Sequence, residues 1–176
     1  MRNIVLIILS LIVSTQIFAK SKYEPECKVS GFDNRTICSV KEYGVYVYDK
    51  PTVLSSVSFG GIWTSTDSDN IGLTFSLGDM SSLIDSISFN LDGEIQNFKV
   101  SIDSAKPVHM GGSLWKSTGM VVLPKNYVEK MVNSKNVKFK ISTVSKGYRE
   151  GSFYSEKGQP SEPVETLKAL INKIKE

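Results

Sequence analysis

Residues able to carry out acid–base, nucleophilic or metal chemistry are sparse in this chain of 176 residues. Its single histidine, His109, is the one imidazole available to a nucleophilic triad, and no serine lies in a G-x-S-x-G elbow. One histidine and two cysteines are too few ligands for a zinc site. We therefore predict a protein without catalytic residues, cofactor or bound metal, in which His109 is a loop residue.

The segment DSDNIG at 67–72 partly matches a calcium-binding loop, with aspartates at positions one and three and glycine at position six. Position five is Ile71 and position twelve is Gly78, so an oxygen ligand and the bidentate glutamate are missing. Aspartate, serine and asparagine also favour turns, because their side chains hydrogen-bond to nearby backbone groups. We predict an exposed turn here instead of a calcium site.

The two cysteines, Cys27 and Cys38, flank a stretch typical of a β-hairpin. Folding this stretch about a turn at 31–34 places Cys27 opposite Cys38, within the distance that a disulfide can bridge. The spacing is not C-x-x-C and no ligand histidines accompany it, which argues against a redox or metal pair. The sequence thus predicts one structural disulfide, a bond typical of oxidising compartments.

Four aromatic residues form the candidate binding surface, namely Tyr46, Tyr48, Trp63 and Trp115. Tyr46 and Tyr48 share one face of a predicted strand, and both tryptophans lie in strand-like runs near glycine pairs. Exposed tyrosine and tryptophan rings suit binding because they combine an apolar ring with a polar atom. The alternative is that all four belong to the core and its rim.

The N-terminus has the pattern of a secretory signal peptide at 1–19. Met1-Arg2-Asn3 is a short positive start, an apolar run follows at 4–13, and Ala19 supplies a small residue at the predicted cleavage site. An uncleaved membrane anchor is the alternative, although the uncharged stretch is at the short limit for spanning a bilayer. We predict a single exported β-rich domain at 20–176, periplasmic or secreted, with no membrane span after cleavage.

The net charge is small for a protein that binds nucleic acid. It is +3, and it falls to +2 when Arg2 leaves with the signal peptide. Lysines bunch at Lys135, Lys138 and Lys140, but alternation along a strand explains such charges as one solvated face. We predict no nucleic-acid partner.

Turn residues at short intervals divide the chain into segments typical of antiparallel strands. The clearest strand is 43–48, rich in aromatic and β-branched residues. Further strands are predicted at 58–64, 71–77, 114–123, 137–141 and 148–154. A bulge or bend is expected at Gly60-Gly61, because glycine inside a strand often marks one.

The Asp92-Gly93 pair predicts a two-residue hairpin, since both residues tolerate positive φ. That loop length sets Ile87 opposite Phe98 and Phe89 opposite Gln96. The same apolar face is expected to continue through Val100 and Ile102.

Two helices are predicted, at 126–133 and at 162–175, the second beginning near Ser161 and Pro163. The second carries an apolar stripe at helical spacing, formed by Leu167, Leu170, Ile171 and Ile174. We expect this stripe to pack on a sheet, and the alternative is a helix presented to another protein. The predicted fold is mainly β (α+β): an antiparallel β-sandwich or barrel-like sheet with a short internal helix and a C-terminal amphipathic helix packed on the sheet.

The C-terminal half runs through a strand, Leu123-Pro124, a short helix, a lysine-rich strand, a hairpin and an apolar helix. Over about sixty residues this layout resembles small bacterial envelope proteins of the invasion-associated locus B type. The resemblance rests on layout without a diagnostic motif, so it implies an envelope protein and assigns no site residues.

The absence of a recognisable catalytic constellation and the predicted export favour a non-enzymatic binding protein, monomeric or weakly associated. Its expected partner is another envelope or extracellular protein. Alternatives are an inhibitor or immunity protein that blocks an enzyme, a glycan-binding module, and a hydrolase with scattered acidic residues. A slightly basic chain fits poorly with an inhibitor of a basic lysozyme, because complementary charge steers such encounters.

Overall fold

The computed structural model describes residues 21–48, 56–78, 81–145 and 147–175, and the predicted signal peptide lies outside these ranges. The helices are α1 (Lys125–Asn133) and α2 (Glu162–Lys173). The strands are, in chain order, β1 (Glu26–Val29), β2 (Thr36–Gly44), β3 (Tyr46–Val47), β4 (Val57–Thr64), β5 (Asp67–Gly78), β6 (Ile84–Leu91), β7 (Glu94–Lys99), β8 (Lys106–Gly111), β9 (Leu114–Pro124), β10 (Val137–Thr143) and β11 (Tyr148–Ser152).

The strands form two antiparallel sheets. The large sheet has six strands in the order β1-β2-β4-β5-β9-β8, and the small sheet has five in the order β3-β11-β10-β6-β7. The fold includes a sheet curled into a half-barrel. The predicted fold class, mainly antiparallel β with two helices of which one is C-terminal, is confirmed.

A cluster of phenylalanines joins the two sheets. Phe59 of β4, which has no exposed surface, lies at its centre. Its ring centroid is 5.9 Å from that of Phe75 in the large sheet and 6.3 Å and 5.2 Å from those of Phe89 and Phe139 in the small sheet. Phe153, directly after β11, is closest at 4.7 Å. Tilted and edge-on rings at these separations add favourable electrostatics to apolar burial.

Helix α2 packs on β2 and β4 of the large sheet. Leu167, Leu170 and Ile171 are buried, and Ile174 packs partly buried against the same core. At Gly61 of β4, an added Cβ would lie 3.0 Å from the Leu167 Cδ2 and 3.1 Å from the Leu170 Cδ2, so this glycine lets the helix approach closely. The prediction that the apolar stripe packs on a sheet is confirmed.

The predicted Asp92-Gly93 hairpin is present between β6 and β7. Both turn residues have positive φ, 53° and 104°, as a type I′ turn requires. Ile87 pairs with Phe98 and Phe89 with Gln96, which is the predicted register. The expected continuation fails at one position, because Ile102 lies exposed in a short 3₁₀ turn at 102–104.

The predicted pairing of the cysteines is confirmed. Cys27 of β1 lies directly opposite Cys38 of β2, with Cα atoms 4.0 Å apart and an S–S distance of 2.02 Å. β1 is an edge strand whose four residues are all exposed, whereas Cys38 is buried. The disulfide therefore fixes an otherwise weakly packed edge strand to the core.

Replacing both cysteines by serine is expected to lower the free energy of unfolding by about 3 kcal/mol, because the short loop is no longer closed in the unfolded chain. Urea denaturation with and without reductant measures this. The oxidised protein should lose stability on reduction and weigh less than the reduced form by two hydrogen atoms, whereas the double variant should not respond to reductant. Equal stability of wild type and variant would contradict the prediction.

The prediction of a single strand at 43–48 is wrong, because the segment is divided between the two sheets. β2 ends at Gly44 in the large sheet, and β3 at 46–47 belongs to the small sheet. The Val45 N–H donates to the carbonyl of Val57 in the large sheet (3.0 Å), whereas the Tyr48 N–H donates to the carbonyl of Glu150 in the small sheet (3.0 Å). The chain thus crosses between sheets with its hydrogen bonds satisfied on both sides.

Three local expectations are also corrected. Residues 67–70 begin β5, and the turn lies one step earlier, at Ser65-Thr66. His109 lies in β8, not in a loop. The bulge expected at Gly60-Gly61 lies in the neighbouring strand, where two residues of β2 between Val40 and Tyr43 face Gly60. An added Cβ at Gly60 would lie 2.9 Å from the Val40 carbonyl oxygen, so glycine is required for this close approach.

Candidate binding surface

The four aromatic residues predicted as a binding surface lie in three separate places. Tyr46 and Tyr48 lie at the edge of the small sheet, and Trp115 lies in the hairpin formed by β8 and β9. Trp63 lies opposite Cys38, beside the disulfide. The structure therefore keeps the two tyrosines together and separates them from both tryptophans.

Trp63 is a rim residue of the core. It is half-buried and packs against the buried cluster. Its indole N–H donates to the carbonyl of Ser68 at 3.1 Å. Because its ring is packed and its indole N–H is already bonded inside the protein, Trp63 is poorly suited to binding a ligand.

A third tyrosine joins Tyr46 and Tyr48 on the outer face of the small sheet. Tyr46 pairs with Ser152 of β11, and Tyr148 begins the same strand, so side chains from both strands lie on one side. All three residues are between 42% and 57% exposed. Together with the polar residues beside them they form the surface that we call the tyrosine face: Tyr46, Tyr48, Tyr148, Lys138, Lys140, Glu150, Ser88, Asn90, Ile95 and Asn97.

A row of polar side chains, paired across neighbouring strands, runs through the centre of the tyrosine face. Lys140 lies opposite both Glu150 and Ser88, and Ser88 lies opposite Asn97. The Lys140 Nζ is 3.0 Å from the Glu150 Oε1 and 4.2 Å from the centre of the Tyr148 ring. Ser88 donates to the Asn97 side chain. These contacts place the lysine beside a carboxylate and a tyrosine ring on an exposed surface.

Two shallow depressions border Tyr48. One, of about 400 Å³, is lined by Tyr48 and by residues of the tyrosine face that include Lys138, Asn90 and Glu150. The other, of about 480 Å³, lies between β3 and the segment that follows β11, and includes Tyr46, Tyr48, Tyr154 and Gln159 among its lining residues. A flat sheet with shallow depressions is better suited to a broad contact than to enclosing a small molecule.

Burial raises the pKa of Tyr154 above its ordinary value, and the nearby carboxylates of Glu165 and Asp92 act in the same direction. Tyr154 lines the second depression, and its hydroxyl, like that of an ordinary tyrosine, is protonated at neutral pH and can donate a hydrogen bond.

His109 is engaged with its own hairpin. Its ring lies 4.8 Å from the Trp115 ring, and its Nε2 is 2.8 Å from the carbonyl oxygen of Gly112. Within the described ranges no three histidine, cysteine, aspartate or glutamate side chains converge as a metal site requires. The predictions of no catalytic residue and no cofactor stay predictions.

The sequence missed Tyr148 as a member of the surface. The sequence pattern predicts a strand from Tyr148, but the place of Tyr148 beside Tyr48 depends on the pairing of β3 with β11, which joins segments about a hundred residues apart. Strand alternation alone could have found the shared face of Tyr46 and Tyr48, and it did.

No family model, curated protein or solved structure matches the chain. The resemblance to the invasion-associated locus B type therefore stays a likeness of layout. In the part of the chain that the structure describes, no helix is long and apolar enough to cross a membrane.

Proposed function

We propose that this chain is an exported, non-enzymatic binding protein whose tyrosine face contacts another protein of the envelope or extracellular space. The observation that carries the proposal is the cluster of three exposed tyrosines beside paired polar side chains on one sheet face. Tyrosine is enriched at protein interfaces because its rigid ring buries a large area while its hydroxyl still forms hydrogen bonds.

The composition of the tyrosine face favours a protein partner. Ile95 is exposed among its polar residues and lines the same depression as Tyr48, which adds an apolar contact to the aromatic ones. Both side chains of the Lys140–Glu150 ion pair are exposed. Because an exposed ion pair contributes little to stability, either side chain can pair with a docking protein instead. The face combines aromatic anchors with adaptable polar contacts.

Two observations support export. The sequence has the pattern of a signal peptide at 1–19, and the disulfide between Cys27 and Cys38 is of the kind that persists in oxidising compartments. The periplasm and the extracellular space are both oxidising, so the proposal covers either destination.

Affinity capture from the host envelope fraction, with residues 20–176 as bait, tests the proposed function. We expect one stoichiometric protein to be captured by wild type and reduced at least about tenfold by a triple variant, Tyr46→Ser, Tyr48→Ser and Tyr148→Ser, because aromatic anchors carry most of the binding energy. Quantitative mass spectrometry measures the loss.

The matched control is Phe32→Ser, which removes a fully exposed aromatic ring from the turn between β1 and β2. It should capture the same protein as wild type. Circular dichroism and urea denaturation check that the triple variant is folded. Capture that survives in a folded triple variant would contradict the tyrosine face as the contact surface.

The inhibitor or immunity hypothesis is a special case of the same proposal. It requires the captured protein to be an enzyme and its turnover to fall when the wild-type chain is added. An unaffected enzyme, or a partner without activity, would favour an adaptor instead.

Glycan binding is a second candidate, supported by the two depressions that Tyr48 helps to line and by the hydrogen-bonding groups that line them. Isothermal titration with fragments of envelope polysaccharide distinguishes it from protein binding. Heat of binding that disappears in Tyr48→Ser would favour a glycan, because a sugar ring would lose its stacking partner.

A further inference from the structure

The hairpin formed by β8 and β9 presents large apolar side chains to solvent. Every residue of β8 is exposed, from Lys106 to Gly111. Val108, Met110, Leu114 and Trp115 are between 37% and 56% exposed. Four such residues make the end of one short hairpin apolar, in contrast to the isolated exposed apolar residues that are ordinary on protein surfaces.

These side chains lie on both faces of the hairpin. His109 pairs with Trp115, and their rings are in contact on one face. Val108 pairs with Lys116 on the other face, and alternation along β9 places Leu114 on that face as well. A partner that covered one face of the hairpin would leave the other apolar face in water.

The apolar end of the hairpin extends beyond the last residue pair that joins β9 to β5. Lys116 is the last residue of β9 that pairs with β5, opposite Gly78. Leu114 and Trp115 continue past it, paired with Gly111 and His109 of β8. Among the described residues, Leu114 and Trp115 pair only with β8.

The polar groups of the hairpin end are partly satisfied internally. The Gly112 carbonyl in the turn is 2.8 Å from the His109 Nε2. Gly111 and Gly112 both have positive φ, which permits a tight turn without a bulky polar side chain. Pairing backbone groups inside the hairpin lowers the cost of moving it out of water.

The charge of the segment is entirely positive. Lys106 and Lys116 lie at the base of the apolar end, and the stretch 105–118 contains no acidic residue. Lysines beside an apolar segment interact favourably with anionic lipid headgroups, and tryptophan prefers the boundary between headgroups and acyl chains.

We propose that the β8–β9 hairpin inserts its apolar end into the outer layer of an anionic phospholipid surface, with Lys106 and Lys116 at headgroup level. A lipid layer surrounds an inserted hairpin on both faces, which matches apolar side chains on both faces better than a protein groove does. This site shares no residue with the tyrosine face, so it stands or falls independently of the proposed function.

Vesicle binding by residues 20–176 tests the proposal directly. We expect the protein to sediment with vesicles that contain phosphatidylglycerol, to sediment less with pure phosphatidylcholine, and to release as salt rises. Trp115 emission should shift to shorter wavelength on binding and be quenched by brominated lipid. In Trp115→Phe the remaining tryptophan, Trp63, should show neither change when excited selectively at about 295 nm or above.

A variant with Met110→Ser and Leu114→Ser should bind phosphatidylglycerol vesicles at least about tenfold more weakly, because two apolar side chains no longer leave water. The matched control is Val29→Ser, an exposed apolar residue on β1, which should bind as wild type does. Lack of vesicle binding, equal binding to both lipids, or undiminished binding by the double serine variant would overturn the proposal. A blue shift that depends on protein concentration without vesicles would overturn it in favour of a second copy of the chain.

Discussion

Replacing Phe59 by alanine is expected to lower the free energy of unfolding by about 3–5 kcal/mol, the largest effect of any substitution proposed for this protein. Phe59 has no exposed surface, and its ring contacts Phe75 in the large sheet and Phe139 in the small sheet. The cavity would lie between two sheets, where neighbouring rings held by different strands cannot all move to fill it.

Urea denaturation followed by circular dichroism measures this loss. The matched control is Phe32→Ala, the same substitution at a fully exposed turn position, which should change stability by less than about 0.5 kcal/mol. Similar losses at both positions would show that Phe59 is not the centre of the packing between the sheets.

Local pairing could be predicted from the sequence because it depends on neighbouring residues. The Asp92-Gly93 turn fixes its own loop length, and that length fixes which residues face each other across β6 and β7. The same reasoning placed Cys27 opposite Cys38. Both pairings lie within about a dozen residues of chain, where turn chemistry and alternation decide the register.

The division of strands between the two sheets could not be predicted in this way. Residues 43–48 alternate as a single strand does, yet Val45 bonds to β4 and Tyr48 bonds to β11. β8 escaped prediction because its residues are all exposed and include Pro107, so the segment has neither a buried face nor a full set of hydrogen-bond donors. Partners distant in sequence decide both cases.

The tyrosine face depends on the same long-range pairing. Tyr46 and Tyr48 could be placed on one face from the sequence, but Tyr148 reaches them only because β11 lies between β3 and β10. The position of β3 in turn depends on one glycine. Val47 pairs with Gly151, and a Cβ there would lie 2.6 Å from the Phe139 Cζ and overlap the carbonyl of Tyr46.

Gly151→Ala is therefore expected to displace β3 and to lower the free energy of unfolding by about 2 kcal/mol or more, the range for overfilling a packed site. The ring of Phe139 is held in the core, so the backbone at Tyr46 has to move. Hydrogen exchange at the Tyr48 amide, which donates to Glu150 in β11, should become faster than in wild type.

The control for this variant is Gly31→Ala, where an added Cβ meets nothing within 4 Å and stability should change by less than about 0.5 kcal/mol.

If Gly151→Ala remains folded, it should lose capture of the protein partner although every side chain of the tyrosine face is still present. Retained capture despite a displaced β3 would show that binding does not depend on the positions of Tyr46 and Tyr48. Unchanged exchange at Tyr48 would instead show that β3 tolerates the methyl group. Gly151 therefore matters to both the fold and the proposed function, because the residue that allows β3 to pair with the small sheet also positions two of the three exposed tyrosines.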